Sequence, residues 1–260
     1  MDVLTPRSLD EALRLKAERP DALPIQGGTD VMVAVNFDRA RPPAMLNLNE
    51  VAELRGWWRE NGSLRLGAGL TYTEAMAPEL AELLPALAEA SRTVGSPQIR
   101  NRGTIGGNLV TASPAGDALP PLVIEGAEVE CASLRGVRRV PVVDFVSGVK
   151  RNVLAPDELV TAVWITPSGV AQTFMKIGPR NAMVIAVVSL AVSAGDELRA
   201  SFGSASPRPL LVVAPRDEAE SFPDRVAAAA APIDDVRGTA EYRRHALRVM
   251  TKRALERTLV

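Results

Sequence analysis

The sequence predicts an α+β fold laid out in two parts, and three observations carry this. Short apolar runs of strand length alternate with capped helical stretches through the first 168 of the 260 residues. Three strand-like runs then follow one another directly. The chain closes on helical segments rich in alanine and arginine.

Taken in order, residues 8 to 19 read as a helix. Ser8 is its N-cap, Glu11 stands three residues on as in a capping box, and Leu9, Ala12, Leu13 and Leu15 give an apolar face. Ala22 to Gln26 is a short strand that runs into Gly27-Gly28-Thr29-Asp30. Val31 to Val35 is helix or strand, because so short an apolar run has no decisive period. Met45 to Leu48 is a strand after the Pro42-Pro43 break. Leu54 to Trp58 and Leu64 to Ala68 flank Asn61-Gly62, a hairpin turn signal. Thr73 starts a short helix, and Pro78 to Ala90 continues helical with Pro85 inside it. A glycine-punctuated segment, Gly95 to Gly116, precedes strands at Glu128 to Ala132, Val137 to Val142 and Leu159 to Ile165.

After Pro167-Ser168-Gly169 the pattern changes. Phe174 to Ile177, Val184 to Ala194 and Leu198 to Phe202 read as consecutive strands, with a tight turn at Gly195-Asp196. Pro223 to Ala231 and Thr239 to Leu259 are helical. The boundary is therefore expected near 167–172, dividing the chain into 1–168 and 169–260.

Composition excludes several classes of function. Thirty basic residues against thirty-one acidic ones leave a net charge of −1, which rules out a chain-wide basic surface for nucleic acid. The longest near-apolar run, Ala182 to Ala194, holds Ser189 and Ser193 and falls short of the roughly 20 residues of a membrane span. The amino end carries Arg7, Asp10 and Glu11 and no apolar stretch, so a cytoplasmic protein without a secretory leader is expected. Cys131 and His245 are the single cysteine and the single histidine. They permit no disulfide, zinc site or iron–sulfur cluster within the chain. Redox chemistry would need an organic cofactor or a partner.

Two glycine loops carry the functional signal. One is Pro24-Ile25-Gln26-Gly27-Gly28-Thr29-Asp30. The other is Thr104-Ile105-Gly106-Gly107-Asn108, leading into Thr111, Ser113 and Asp117. Adjacent glycines can adopt positive φ and let main-chain N–H groups approach an anion, so each loop has the parts of a phosphate nest. Thr29, Thr104, Thr111 and Ser113 add hydroxyls, and Asp117 offers an acceptor to a ribose hydroxyl. Glycine pairs also mark ordinary turns. Two such loops, each beside hydroxyl residues, suit a long ligand with a central pyrophosphate. The dinucleotide-fold and P-loop signatures are both missing.

Gly27-Gly28-Thr29-Asp30 and the run Gln98-Ile99-Arg100-Asn101-Arg102-Gly103-Thr104-Ile105-Gly106-Gly107-Asn108 resemble the two flavin-binding motifs of the FAD-binding medium subunits of molybdenum hydroxylases, the xanthine and carbon monoxide dehydrogenase type. The resemblance continues in order through Leu154-Ala155-Pro156-Asp157-Glu158-Leu159, Phe174-Met175-Lys176 with Gly178-Pro179-Arg180, and Asp235-Val236-Arg237-Gly238-Thr239-Ala240-Glu241-Tyr242-Arg243-Arg244.

The resemblance implies a two-subdomain FAD-binding domain of the vanillyl-alcohol-oxidase/p-cresol-methylhydroxylase type. Its subdomains would be about 1–55 and 56–168, followed by a small domain of a three-stranded antiparallel sheet with a helical bundle. It implies that Ile25, Gln26, Gly27, Gly28, Thr29 and Asp30 wrap the FAD pyrophosphate and that Thr104, Ile105, Gly106, Gly107 and Asn108 hold the other side. Thr111, Ser113 and Asp117 would lie near the nucleotide, with Val160 and Lys176 close to the isoalloxazine. The implied partners are a large molybdopterin-binding subunit and a small [2Fe–2S] subunit, with electrons passing through FAD to NAD or another acceptor. Val149 and Val184 stand where relatives carry an aromatic and an acidic residue, which leaves the acceptor open. Cys131 alone excludes an extra iron–sulfur cluster. Alternative readings are a stand-alone flavin oxidoreductase, a flavin-free structural subunit, and a nucleic-acid module built on the basic helix from 237 to 257.

Overall fold

In a computed structural model that describes residues 1–181 and 183–259, the chain builds three principal sheets. The first part contains β1 (Asp2–Leu4), α1 (Leu9–Glu18), β2 (Leu23–Ile25), α2 (Val31–Asn36) and β3 (Ala44–Asn47). Its strands run parallel in the order β1-β3-β2. Ser8 caps α1, its hydroxyl accepting from Glu11 N at 3.2 Å. The capping box is half made: Glu11 turns its carboxylate to Arg7 N instead of Ser8 N. Ala12 and Leu13 bury that helix against Leu46, Leu48 and Leu54. The ambiguous run from Val31 is helical.

The second part contains β4 (Trp57–Glu60), β5 (Ser63–Gly67), α3 (Pro78–Leu83), α4 (Pro85–Thr93), α5 (Pro97–Arg100), α6 (Ile105–Thr111) and α7 (Leu119–Ile124). It continues with β6 (Glu128–Ser133), β7 (Gly136–Pro141), α8 (Val142–Phe145), the small hairpin β8 (Val146–Gly148) with β9 (Arg151–Asn152), and β10 (Leu159–Ile165). The sheet order β4-β5-β10-β6-β7 is antiparallel throughout. Asn61 and Gly62 both take positive φ, 50° and 82°, as a two-residue hairpin turn demands. The expected helix at Thr73 is a single 3₁₀ turn, Glu74–Met76. The helix expected over Pro78 to Ala90 is two helices. Pro85 has no N–H to continue the first, so the chain restarts at Leu84 with the proline in the opening turn of α4. All seven residues of β10 are buried, which hides any alternation along it.

The last part contains β11 (Ala171–Ile177), β12 (Val188–Ala194), β13 (Glu197–Gly203), β14 (Val212–Pro215), α9 (Phe222–Ala229) and α10 (Ala240–Thr258). Two expectations are corrected here. The sheet has four strands, ordered β11-β12-β13-β14. The missed strand is a short edge, ended by Pro215, in a stretch too brief to show a period. The helical bundle is a pair of helices. The segment between them is held by an Asp235–Gly238 bridge and carries no third helix. The strand expected from Val184 begins at Val188, and Ala182 lies outside the described residues. β12 is sandwiched: Leu190 and Val192 face α9 and α10, while Ala191 faces α4 and α7 with Phe174. Two carboxylates, Glu89 half-buried and Glu125 buried, stitch this sheet to the second part. Glu89 accepts from Phe174 N at 2.6 Å, and Glu125 accepts from Ser168 N at 2.9 Å and from Gln172. No described helix is long and apolar enough to cross a membrane.

Candidate functional site

The two glycine loops meet. A Cβ on Gly27 would collide with the main-chain carbonyl of Arg102, standing 2.8 Å from its carbon. The Arg102 guanidinium donates in turn to Gln26 O at 3.1 Å and to Asn49 Oδ1 at 3.2 Å. The Gln26 side-chain amide fills the space that a side chain on Gly69 would need. On the far side, Thr111 Oγ1 lies 3.5 Å from Asp30 Oδ2. Sequence positions some 75 residues apart thus form one rim.

The loops are built differently. The first is an open cradle. The N–H groups of Gly27, Gly28, Thr29 and Asp30 find no acceptor within the chain among the described residues. Gly28 alone of the four loop glycines has positive φ, 72°, and a Cβ on it would meet Met32 and Ile25. Consecutive unpaired amides are the donor set that a pyrophosphate takes. Thr29, half-buried, adds a hydroxyl at the same turn.

The second loop is not a nest of free amides, which corrects that expectation. Ile105 N donates to Leu70 O at 2.9 Å and Gly106 N to Ala68 O at 2.9 Å. Gly107 N donates to the capping hydroxyl of Thr104 at 3.0 Å, and Asn108 N to Thr104 O at 3.0 Å. These bonds start α6 and lock it to the end of β5. Its glycines therefore serve close approach, not unusual φ. Gly106 is buried with Ala68 Cβ only 2.6 Å from where its own would stand, whereas Gly107 is exposed and a Cβ there would meet only Thr104 Oγ1, at 2.9 Å. Ile105 and Val160 point into the hydrophobic core behind the loop, so they back the site by packing.

Past α6, Ala112 takes a left-handed conformation (φ 47°) and turns the chain back. Ser113 Oγ accepts from Ala115 N at 3.3 Å. Gly116 leaves room for the Asn108 side chain, whose Oδ1 is buried without a partner. Asp117 ends the run as a buried ion pair: its Oδ2 is 2.6 Å from Lys176 Nζ, with both side chains under 8% exposed. Lys176 also donates to Thr93 O at 3.2 Å. Burial pushes the Asp117 carboxyl up, and Lys176 pulls it back down. Asp117 Oδ1 has no partner. Tyr72, packed on Gly103, has its hydroxyl pushed well above the usual phenol range by burial and by the Asp117 charge.

Two buried, unpartnered acceptors on the chain leading out of the second loop and four unpaired donors on the first fit a ligand with both phosphates and hydroxyls. Arg102 and Tyr72 were missed by sequence reasoning. Arg102 stood within the motif that was read, but nothing in a linear pattern shows a guanidinium reaching back to Gln26. Among the described residues no group of three His, Cys, Asp or Glu is placed to hold a metal ion.

Residues 1–167 match the family described as the FAD binding domain in molybdopterin dehydrogenase. The chain is 32% identical to the xanthine dehydrogenase FAD-binding subunit of Escherichia coli O157:H7, over 95% of this chain and 92% of that one. It is 30% identical to the carbon monoxide dehydrogenase medium chain of Afipia carboxidovorans, covering 98% and 96%. The mixed α and β fold superposes on the Cu,Mo-CO dehydrogenase structure with a TM-score of 0.92 at 27% identity, covering 99% of this chain and 97% of that one. On quinoline 2-oxidoreductase from Pseudomonas putida 86 the TM-score is 0.91 at 25% identity, covering 99% and 96%.

Proposed function

Since the chain belongs to the family of FAD-binding domains in molybdopterin dehydrogenases, we propose that it is the flavoprotein subunit of a molybdenum hydroxylase and relays electrons from an iron–sulfur partner, through FAD, to NAD or another acceptor. The partners in this reading are a large molybdopterin-binding subunit and a small [2Fe–2S] subunit, and the compartment is the cytoplasm. Bound FAD supplies the junction between one-electron and two-electron transfer. The chain's own task is to bind and orient it.

The observation that carries the reading is the run of four unpaired amides from Gly27 to Asp30, closed over by the Arg102 contact. These amides hold the pyrophosphate, with the Thr29 hydroxyl beside them. The bare face of Gly107 admits the cofactor to the start of α6. Asn108, Thr111, Ser113 and the free oxygen of Asp117 take its hydroxyls and ring polar edges. Gln26 and Ile25 shape the first loop, and Thr104, Ile105, Gly106 and Val160 fix the second from behind. Lys176 donates to Asp117 and to Thr93 O and has one N–H left to donate. In this reading residues 1–168 form the flavin domain, with subdomains about 1–55 and 56–168, and 169–260 form the closing domain.

FAD titration followed by flavin fluorescence tests the reading. Saturable binding at one FAD per chain is expected, with loss when Gly28 is made valine. A titration without saturation overturns it. Isolated chain should oxidise no purine, aldehyde or aromatic substrate, and turnover by the lone chain would refute the relay role.

A further inference from the structure

A groove of about 520 Å³ runs between β11 and α10, on the side of the last sheet away from the Asp117–Lys176 pair. We propose that it receives an extended, acidic segment of a partner subunit, added to β11 as a fifth strand. The proposal rests on the chain being a subunit.

β11 is an edge of its sheet. Ile177 O takes Val187 N at 2.8 Å on the β12 side, while Phe174 N points the other way, to Glu89. Antiparallel alternation then turns Phe174 O and both main-chain groups of Lys176 outward. Among the described residues these outward groups have no partner. An edge with free donors and acceptors is a template for another strand.

The groove beside it has an apolar floor, made by Met175 and Ile177 from the strand and Val249 and Met250 from the helix. Its rim is cationic. Val249, Arg253 and Arg257 recur at four-residue spacing, so they line one stripe of α10. Arg253 and Arg257 have no carboxylate partner among the described residues, unlike Arg248, which pairs with Asp224, and Arg243, which pairs with Asp235. Among the described residues no Asp or Glu lines the groove. An occupant must therefore bring its own negative charge and some apolar side chains.

A second copy of this chain does not meet that need. Pairing edge to edge would set two Arg253–Arg257 rims against each other, and like charges at an interface oppose it. Nucleic acid would satisfy the arginines but leave the floor and the strand edge unused, and Glu241 and Glu256 sit on the same helix.

The test uses the FAD-loaded chain and a short fluorescein-labelled peptide alternating valine and glutamate, with a valine–lysine peptide as counterpart. Saturable binding of the glutamate peptide is expected, with slowed hydrogen exchange at the Lys176 N–H. Arg253→Glu with Arg257→Glu should weaken binding by roughly tenfold or more. FAD content should stay at wild-type level in that variant, so the flavoprotein assignment is read separately from the groove. No binding of the glutamate peptide overturns the proposal, as does equal binding of the lysine peptide. Unprotected Lys176 N–H, unaltered affinity in the variant, displacement by a short single-stranded DNA, or dimers formed through the groove would also refute it.

Discussion

Gly27 and Arg102 touch backbone to backbone: no side chain fits on Gly27 while the Arg102 carbonyl stays where it is. This contact, not a shared strand, joins the first glycine loop to the second. It makes the rim of the candidate site a product of two parts of the chain that have separate sheets.

Gly27→Ala and Gly107→Val should therefore differ in kind. At Gly27 the obstacle is main chain, which cannot swing aside, so the loops separate. Lower melting temperature and lost FAD binding are expected together. At Gly107 a side chain meets only the Thr104 hydroxyl. The helix tolerates a residue there, so the apo protein should keep its stability to within about 1 kcal/mol while FAD affinity falls. Equal loss of stability in both variants would show that Gly107 is a packing glycine only.

The Asp117–Lys176 pair predicts a strong imbalance between single and double changes. Removing one partner leaves an unpaired charge in the interior, which typically costs about 3–5 kcal/mol. Asp117→Asn and Lys176→Met should each fall in that range by urea denaturation, and the double variant should cost less than their sum. Strict additivity in the cycle would mean that the two groups do not interact energetically.

Asp235 sets a pH dependence. It accepts from Arg237 N and lies at 2.6 Å from Arg237 and 2.5 Å from Arg243, and these partners hold its carboxyl far below the usual range. With the folded pKa depressed, the unfolded chain takes up the proton first. Stability from this site is thus complete above the unfolded carboxylate pKa, about 4, and is lost as pH falls below it. Thermal melts of Asp235→Asn should show a weaker fall between neutral and acid pH than wild type. An unchanged acid slope would remove Asp235 from the linkage.

Cys131 should be inert. It is fully buried on β6 and burial pushes its thiol up to about 11. Iodoacetamide at mildly alkaline pH should label it only after unfolding. Labelling of the folded chain at the rate of free cysteine would contradict this burial.

Most strands and both terminal helices were legible because each carried a local device: Ser8 and Thr239 cap their helices, and Asn61-Gly62 turns its hairpin. The fourth strand of the last sheet was not, since four residues at an edge leave no period to read. At the site, the glycine pairs announced themselves but not their division of labour. Which amides are spent inside the chain depends on Ala68 and Leu70, which belong to a different element. The pairing of Asp117 with Lys176 likewise depends on how β11 is laid against α4, which no local pattern encodes.

The last sheet also reaches the loop itself: Ser204 N donates to Pro114 O at 2.7 Å, and Lys176 neutralises Asp117. A ribosome delivers both glycine loops by residue 108, well before either of these residues emerges. A nascent chain paused at residue 168 holds Asp117 without its counter-ion and Pro114 without its donor. A prematurely terminated chain would therefore carry both motifs yet lack the contacts that complete the second loop.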